Sequence, residues 1–518
     1  MSRIAESLAR KSLFSTLINL LGAVVAYAGI FVISRFMPAA EFTIGLIGFS
    51  VSYVGIFLPV GRLGFGTAHV KKVSEGADIG ECNGAMLLIT AVLTVLMTLI
   101  VFASILFWVI LLHHGFETPL ELQGIWIMLG YTIITGFAVV PATTFGARRE
   151  VAKAQIGTLA GHIVRVAAIV FIVFSNLSAI DVIWAYFFGG IASAAVTFYY
   201  FRGYPVRRPG RSLLREYRKF ADPLLLPSLI GMLPVSLSVV IVELFWHLQV
   251  AGLFYAGFRI TSVFVVLSAS VSGLIFPRIS ELHSRGSMAE IKNSTLVSEH
   301  FLSFVLAPIS AFLLIYPAGI LHVIMSNAFL GASQTLGILA IWLYVSGISG
   351  PKNSAIGGMN RPVTLGRISI AGTLFSIAVM VVAIPKSIFG LTLLGLNAGG
   401  AAVGLLAGAM LTYYLSHRHA NKLAQTGFSS RIVIFIMVAI LVYALIYPLT
   451  SFLPLLGWEW YDVLLFAGLG GAVYTGVCLV TKMVSIDEIR VIADSFNPFA
   501  MRKYVSEELA SEFSDGKE

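Results

Sequence analysis

Residues 84–112 read GAMLLITAVLTVLMTLIVFASILFWVILL, without a single charged side chain. A helix needs about 20 predominantly apolar residues to cross the hydrocarbon core of a bilayer. This run is long enough, so it is a membrane span. The same rule, applied outward in both directions, yields fourteen spans. They lie at roughly 12–36, 42–65, 84–112, 122–145, 154–175, 179–201, 221–246, 250–276, 299–326, 329–350, 364–385, 388–416, 432–453 and 460–482. The weakest division is at 384–388, around Pro385 and Lys386.

Composition agrees. Of the 518 residues 58% are apolar and 11% charged, and mean hydropathy is +0.92. A soluble domain carries about 45–50% apolar and about 25% charged residues. These values exclude a cytosolic enzyme, a secreted module and a disordered chain. The first apolar run, 12–36, is longer than the ~7–15 residues of a signal-peptide core.

The net charge of +9 is placed where it sets topology. With the N-terminus cytoplasmic, only Arg35 and Lys386 of the 34 basic residues fall at outside ends or loops. Arg62, Arg165 and Arg259 fall within spans, and the rest lie on the cytoplasmic side. One missing span would scatter this asymmetry. The expectation is a multi-pass cell-membrane protein with both termini cytoplasmic. It divides into an N-terminal lobe 1–201, a basic linker 202–220, a C-terminal lobe 221–416, two added spans in 417–482 and a cytoplasmic tail 483–518 with an amphipathic helix. No aromatic-basic patch for nucleic acid appears. Two cysteines, Cys82 in an expected loop and Cys478 in a span, allow neither a thiolate metal site nor an expected disulfide.

A repeat underlies the spans. Glu41-Phe42-Thr43-Ile44-Gly45-Leu46 enters span 2, and Val250-Ala251-Gly252-Leu253-Phe254-Tyr255 enters span 8. A shift of 207 puts Gly45 on Gly252 and Lys71 on Arg278. A shift of 212 puts Gly146-Ala147-Arg148-Arg149 on Gly358-Met359-Asn360-Arg361. Two matches in order, at nearly equal shifts, indicate two six-span halves of the same orientation, the architecture of transporters that rock about a central site.

SRFMPAAEFTIGL through LGFGTAHVKKVSE, VAGLFYAGFRI through LIFPRISEL, GMNRPVTLGRISIAG and GLNAGGAAVGLL resemble the polysaccharide and oligosaccharide-lipid flippases of the multidrug/oligosaccharidyl-lipid/polysaccharide exporter superfamily. The resemblance covers nearly the whole chain, and the span count is similar to that of lipid II-type and archaeal members. It implies an all-α membrane protein of 14 transmembrane helices, with two pseudo-symmetric six-helix lobes around a central cavity plus two extra helices. It implies export of a polyprenyl-linked oligosaccharide, on an undecaprenyl or dolichyl carrier, by alternating access. Spans 13 and 14, with Trp458 and Trp460 at the interface, would hold the prenyl tail or simply face lipid. The protein would act as a monomer in the bilayer, associated with glycan-assembly enzymes.

Buried charge marks the candidate site, because a charge at a helix centre costs about 2.5–3.5 kcal/mol on insertion scales. Arg259 and Arg165 lie about 13 and 16 Å along their spans at ~1.5 Å per residue. Arg62 and Arg35 lie nearer the ends of spans 2 and 1. Guanidinium groups bind phosphate as a fork and stay charged when buried. Arg259, Arg62, Arg35 and Arg165 are therefore the expected substrate-binding cavity residues. Structural alternatives are an ion pair of Arg259 with Glu243, snorkelling of Arg62, interface anchoring by Arg35, and a brace by Arg165, which shares a helix face with His162. Glu243, the acid well within an apolar run, is a candidate for proton coupling or a rim salt bridge. Three prolines in span 7, Pro223, Pro227 and Pro234, suggest a hinge. No cofactor is expected. An enzyme is disfavoured by the absence of GxxxxGK[ST], DxD or paired loop acids. A cation-coupled multidrug exporter, the alternative in the same superfamily, wants an acid deep in span 1, which has none.

Overall fold

The computed structural model describes residues 21–484 apart from 23, 112–115, 149, 223–228, 232 and 450–458. In chain order the helices are α1 (Val24–Phe36), α2 (Ala40–Phe57), α3 (Phe65–Ser74), α4 (Ile79–Leu106), α5 (Pro119–Ala147), α6 (Val151–Phe174), α7 (Ala179–Phe201) and α8 (Arg211–Ala221). They continue as α9 (Leu233–Phe245), α10 (Leu248–Ser284), α11 (Met288–Ile315), α12 (Pro317–Ile324), α13 (Ser333–Gly358), α14 (Pro362–Ala383), α15 (Asn397–Ala424), α16 (Ser430–Ile446) and α17 (Trp460–Val480). Among the described residues, eleven helices are long and apolar enough to cross a membrane. Three shorter apolar ones, α1, α9 and α16, accompany them. Each expected segment overlaps one of these helices, though bounds differ by up to about a dozen residues, as where α11 begins at Met288 and not at 299. Apolar sequence takes helical form here because lipid offers no partner for backbone N–H and C=O groups, so each segment must satisfy its own. Local caps set several ends: Asp78 accepts the Glu81 N–H (2.8 Å) at α4, Asp181 the Ser178 N–H (2.9 Å) at α7, and Asp462 the Glu459 N–H (2.9 Å) at α17.

The structure departs from the sequence expectations in definite places. The weak division at 384–388 is a two-stranded hairpin, Ser387–Ile388 with Leu391–Thr392, turned by Phe389 and Gly390 at positive φ. The described part of the fold is thus not purely helical. Helix α13 runs through Pro351 to Gly358, so Lys352 is a buried helical residue and not a loop cation. Cys82 lies buried in the first turns of α4 rather than in a loop. Pro234 is in the first turn of α9, whereas Pro223, Pro227, Trp458 and the tail beyond 484 lie outside the described residues.

The repeat has a physical counterpart where α2 crosses α10. A methyl group on Gly45 would sit 2.0 Å from the Leu248 carbonyl oxygen, and one on Gly252 would sit 2.1 Å from the Glu41 oxygen. Gly45 and Gly252 are repeat mates, and so are Glu41 and Leu248. Each helix therefore presents the same glycine to the same carbonyl of the other, the local signature of a two-fold axis. Gly252→Ala should destabilise the protein by at least the ~1–3 kcal/mol of overpacking, because the obstacle is backbone that cannot rotate away. Gly273→Ala on the same helix, where nothing lies within 4 Å, should leave the thermal unfolding midpoint unchanged.

Candidate functional site

Two of the four expected arginines, Arg259 and Arg165, come together, and a third, Arg62, shares only Tyr131 with Arg259. Arg259 projects from the middle of α10, with its guanidinium carbon 5.6 Å from the Tyr255 ring centre. It lies within electrostatic reach of Tyr27, Tyr131 and Tyr186. Arg165, on α6, stands 4.6 Å from the Tyr186 ring centre and donates from Nη2 to His162 Nδ1 at 3.0 Å. Arg62 lies in the turn between α2 and α3, not inside a helix, and within reach of Tyr131. It lines a cavity of about 70 Å³ with Thr90, Thr94 and Thr132. The result is a pair of guanidinium groups among four tyrosines from α1, α5, α7 and α10, with Arg62 in a separate cavity and within reach of Tyr131.

The electrostatics matter more than the count. Among the described residues, none of these three arginines has a carboxylate within salt-bridge distance. The pairing of Arg259 with Glu243 weighed above does not occur. Aromatic faces hold a guanidinium for about 0.5–2 kcal/mol without neutralising it. Positive charge thus remains free for an anion. The tyrosines were missed by the sequence reading. One signal was available: Tyr255 precedes Arg259 by four residues, hence on the same helix face.

Arg35 does not join this cluster. Its Nη2 donates to the carbonyl oxygens of His322 (2.7 Å) and Val323 (2.5 Å) on α12, while Ser34 donates to Met325 O at 3.4 Å. It ties α1 to the end of α12, a clamp between distant parts of the chain. Glu243 also finds a different setting. One oxygen from each of Glu117, Glu121 and Glu243 lies within 4.8 Å of the others. Glu121 and Glu243 are buried, each with an oxygen lacking a hydrogen-bond partner, and His247 Nδ1 lies 3.1 Å from Glu117. This trio could hold a cation, a site the cysteine count did not anticipate.

Two other histidines, buried His69 and partly buried His300, are structural. His69 bonds Tyr217 (2.9 Å) and Thr144 (2.8 Å), fastening the basic helix α8 to α3 and α5, and burial pushes its pKa down to about 4. His300 bonds Ser429 at 2.6 Å.

Arg165 also lines a small cavity of about 40 Å³ between α5, α6 and α7. A larger one, of about 300 Å³, lies between α9, α13, α14 and α15. The two are repeat mates. A shift of 211 carries Tyr131, Thr135, Thr158, Gly161, His162 and Arg165 onto Trp342, Ser346, Ser369, Gly372, Thr373 and Ser376. A shift of 219 carries Tyr186, Gly189, Gly190 and Ser193 onto Leu405, Gly408, Ala409 and Thr412. Every lining residue of the first has its counterpart lining the second. The shift of 211 differs by one from the 212 read at the adjoining sequence.

A repeat-built bundle of apolar helices that carries arginines along its spans is the class of a membrane transporter. The sequence matches the polysaccharide biosynthesis protein family over residues 8–283, more than half the chain, and the protein belongs to that family. It is 22% identical, over 388 residues, to the probable low-salt glycan biosynthesis flippase Agl15 of Haloferax volcanii, covering 73% of this chain and 78% of that protein. In fold it resembles the lipid II flippase MurJ in an inward closed conformation (TM-score 0.69, 10% identity, 91% of this chain and 99% of that one). It also resembles an inward-facing multidrug resistance MATE transporter of the MOP superfamily (TM-score 0.61, 15% identity, 82% and 100%).

Proposed function

We propose that this protein is a flippase carrying a polyprenyl-(pyro)phosphate-linked oligosaccharide from the cytoplasmic to the external leaflet by alternating access, for cell-surface glycan biosynthesis. Fourteen spans form two six-helix lobes and an added pair, with the linker at 202–220, and both termini are cytoplasmic. The observation that carries the reading is the pair of Arg259 and Arg165, braced by tyrosine rings instead of carboxylates, with Arg62 within reach of Tyr131. A lipid phosphate cannot enter hydrocarbon with its charge bare. One guanidinium contact near 4 Å is worth up to about 4 kcal/mol at an effective dielectric of about 20. In this reading the crossing of α2 and α10 and the Arg35 clamp close the external side, while the prenyl tail stays in the bilayer.

Membership of the family and the flippase relatives favour this over the multidrug exporter. So does the positive charge of Arg259 and Arg165, which repels cationic drugs. The test is a vesicle assay that follows a labelled polyprenyl-pyrophosphate-sugar between leaflets. Movement of that lipid supports the proposal. Movement of a cationic dye with no movement of any lipid-linked sugar would sink it.

Glu243 is the proposed ion-coupling residue, acting with Glu121 and Glu117 where the two lobes meet. Three carboxylates this close repel one another, and a bound cation or proton relieves that. Glu243→Gln should remove the stimulation of flipping by an imposed ion gradient while leaving gradient-free binding of the lipid intact. A gradient response of unchanged size would rule it out.

A further inference from the structure

The two repeat-equivalent cavities have diverged in one chemical direction. At corresponding positions the first has Arg165, His162 and Tyr186, and the second has Ser376, Thr373 and Leu405. Charge is lost and space is gained, from about 40 to about 300 Å³. The larger value falls at the low end of the ~300–1,000 Å³ range of small-molecule sites. Among the described residues, no charged side chain lines it. A phosphate would find no cation there, and a metal ion no carboxylate.

What remains is hydroxyl, amide and one indole. Ser376 is 2% exposed, and its Oγ has no hydrogen-bond partner, which costs stability unless a ligand or water supplies one. Ser349 donates to the Val345 carbonyl of its own helix at 2.8 Å, leaving its oxygen to accept. Asn353 accepts from Ser416 at 2.6 Å through Oδ1, leaving its amide N–H groups to donate. Trp342 adds an apolar surface with an N–H at its edge. A ring with an apolar C–H face and a rim of hydroxyls matches this lining.

We propose that the cavity between α9, α13, α14 and α15 binds an uncharged sugar ring. The arginines of the first lobe and Arg259 would then receive the phosphate and this cavity one residue of the attached glycan. The proposal rests on the flippase reading and adds the place where the sugar is recognised.

The test measures binding of two kinds of lipid to the full chain in nanodiscs. One is bare undecaprenyl pyrophosphate. The other is the same carrier bearing a single glucose, galactose or N-acetylglucosamine. The wild type should favour at least one sugar-bearing lipid over the bare carrier. Trp342→Ala should cut that preference about 10- to 30-fold and Ser376→Ala about 2- to 10-fold. Trp342→Phe, which keeps an aromatic face, should restore most of it. All three should hold the bare carrier as the wild type does, which also shows that they fold. No preference for any sugar, or a preference that survives both alanine variants, overturns the proposal while bare-carrier binding leaves the flippase reading standing. If the wild type binds neither kind of lipid, both fall.

Discussion

Arg259→Ala should reduce translocation of a polyprenyl-pyrophosphate-sugar at least about tenfold, and up to about a hundredfold. A hydrogen bond to a charged group is worth about 1.5–3 kcal/mol net, and each ~1.4 kcal/mol is a factor of ten. The same variant should not lower the unfolding temperature. The Arg259 guanidinium has no hydrogen-bond or ion-pair partner among the described residues, only the Tyr255 ring. It also shares its surroundings with the second positive charge of Arg165. Removing one of two like charges relieves repulsion, so stability should hold or rise as activity falls. Arg165→Ala should differ, because it also loses the bond to His162 and the contact with the Tyr186 ring, and its unfolding temperature should drop. Arg259→Lys should recover only part of the rate, since an ammonium cannot grip phosphate as a fork. An alanine variant as fast as the parent, in vesicles where the parent flips, would end the arginine-site hypothesis.

The fold was legible because lipid simplifies it. Any long uncharged run must be helical and spanning, and the rule found each apolar helix from Val24 to Val480. It failed where a helix crosses from lipid-like to polar surroundings without a break. With a span expected to end at 350, Lys352 falls on the cytoplasmic side, yet α13 continues to Gly358 and its cation is met by an acid from another helix. That partner was unreadable, since nothing in one sequence ties residue 352 to residue 299. The site shows the same division. A buried arginine announces itself by its transfer cost, so Arg259 and Arg165 could be named. Arg35 carries the same cost signal but spends its bonds on carbonyls of α12, which only tertiary contact reveals. Glu243 was likewise visible as an acid, but its companions Glu117 and Glu121 lie more than a hundred residues away. The sequence repeat gave the α2–α10 match but not the paired cavities, whose three most reactive mates, Arg165/Ser376, His162/Thr373 and Tyr186/Leu405, differ in chemistry. Only their common place between helices shows the kinship.

The buried pair of Lys352 and Glu299 yields the largest expected change in stability. Both side chains are fully buried, with Nζ 2.5 Å from each carboxylate oxygen, and Tyr413 donates to the same carboxylate at 3.0 Å. Attraction and desolvation nearly cancel in such a pair, but removing one member leaves the other's desolvation cost unopposed. Lys352→Met should therefore destabilise the protein by about 3–5 kcal/mol. In detergent this should appear as a sharply lower unfolding midpoint and poor recovery of folded protein. Glu299→Leu alone should behave alike, because it strands an ammonium with only the Tyr413 ring, 5.5 Å away, beside it. Combining the two should return the midpoint to near the parent's or above it, since apolar side chains then fill a site that no longer holds charge. The double variant also separates structure from transport. If the pair only joins α11 to α13, the double variant flips lipid at the parental rate. If it is stable but inactive, the pair also takes part in moving the two helices against each other. A single Lys352→Met variant with an unshifted midpoint would mean that the ammonium reaches water and that the pair is not buried as described.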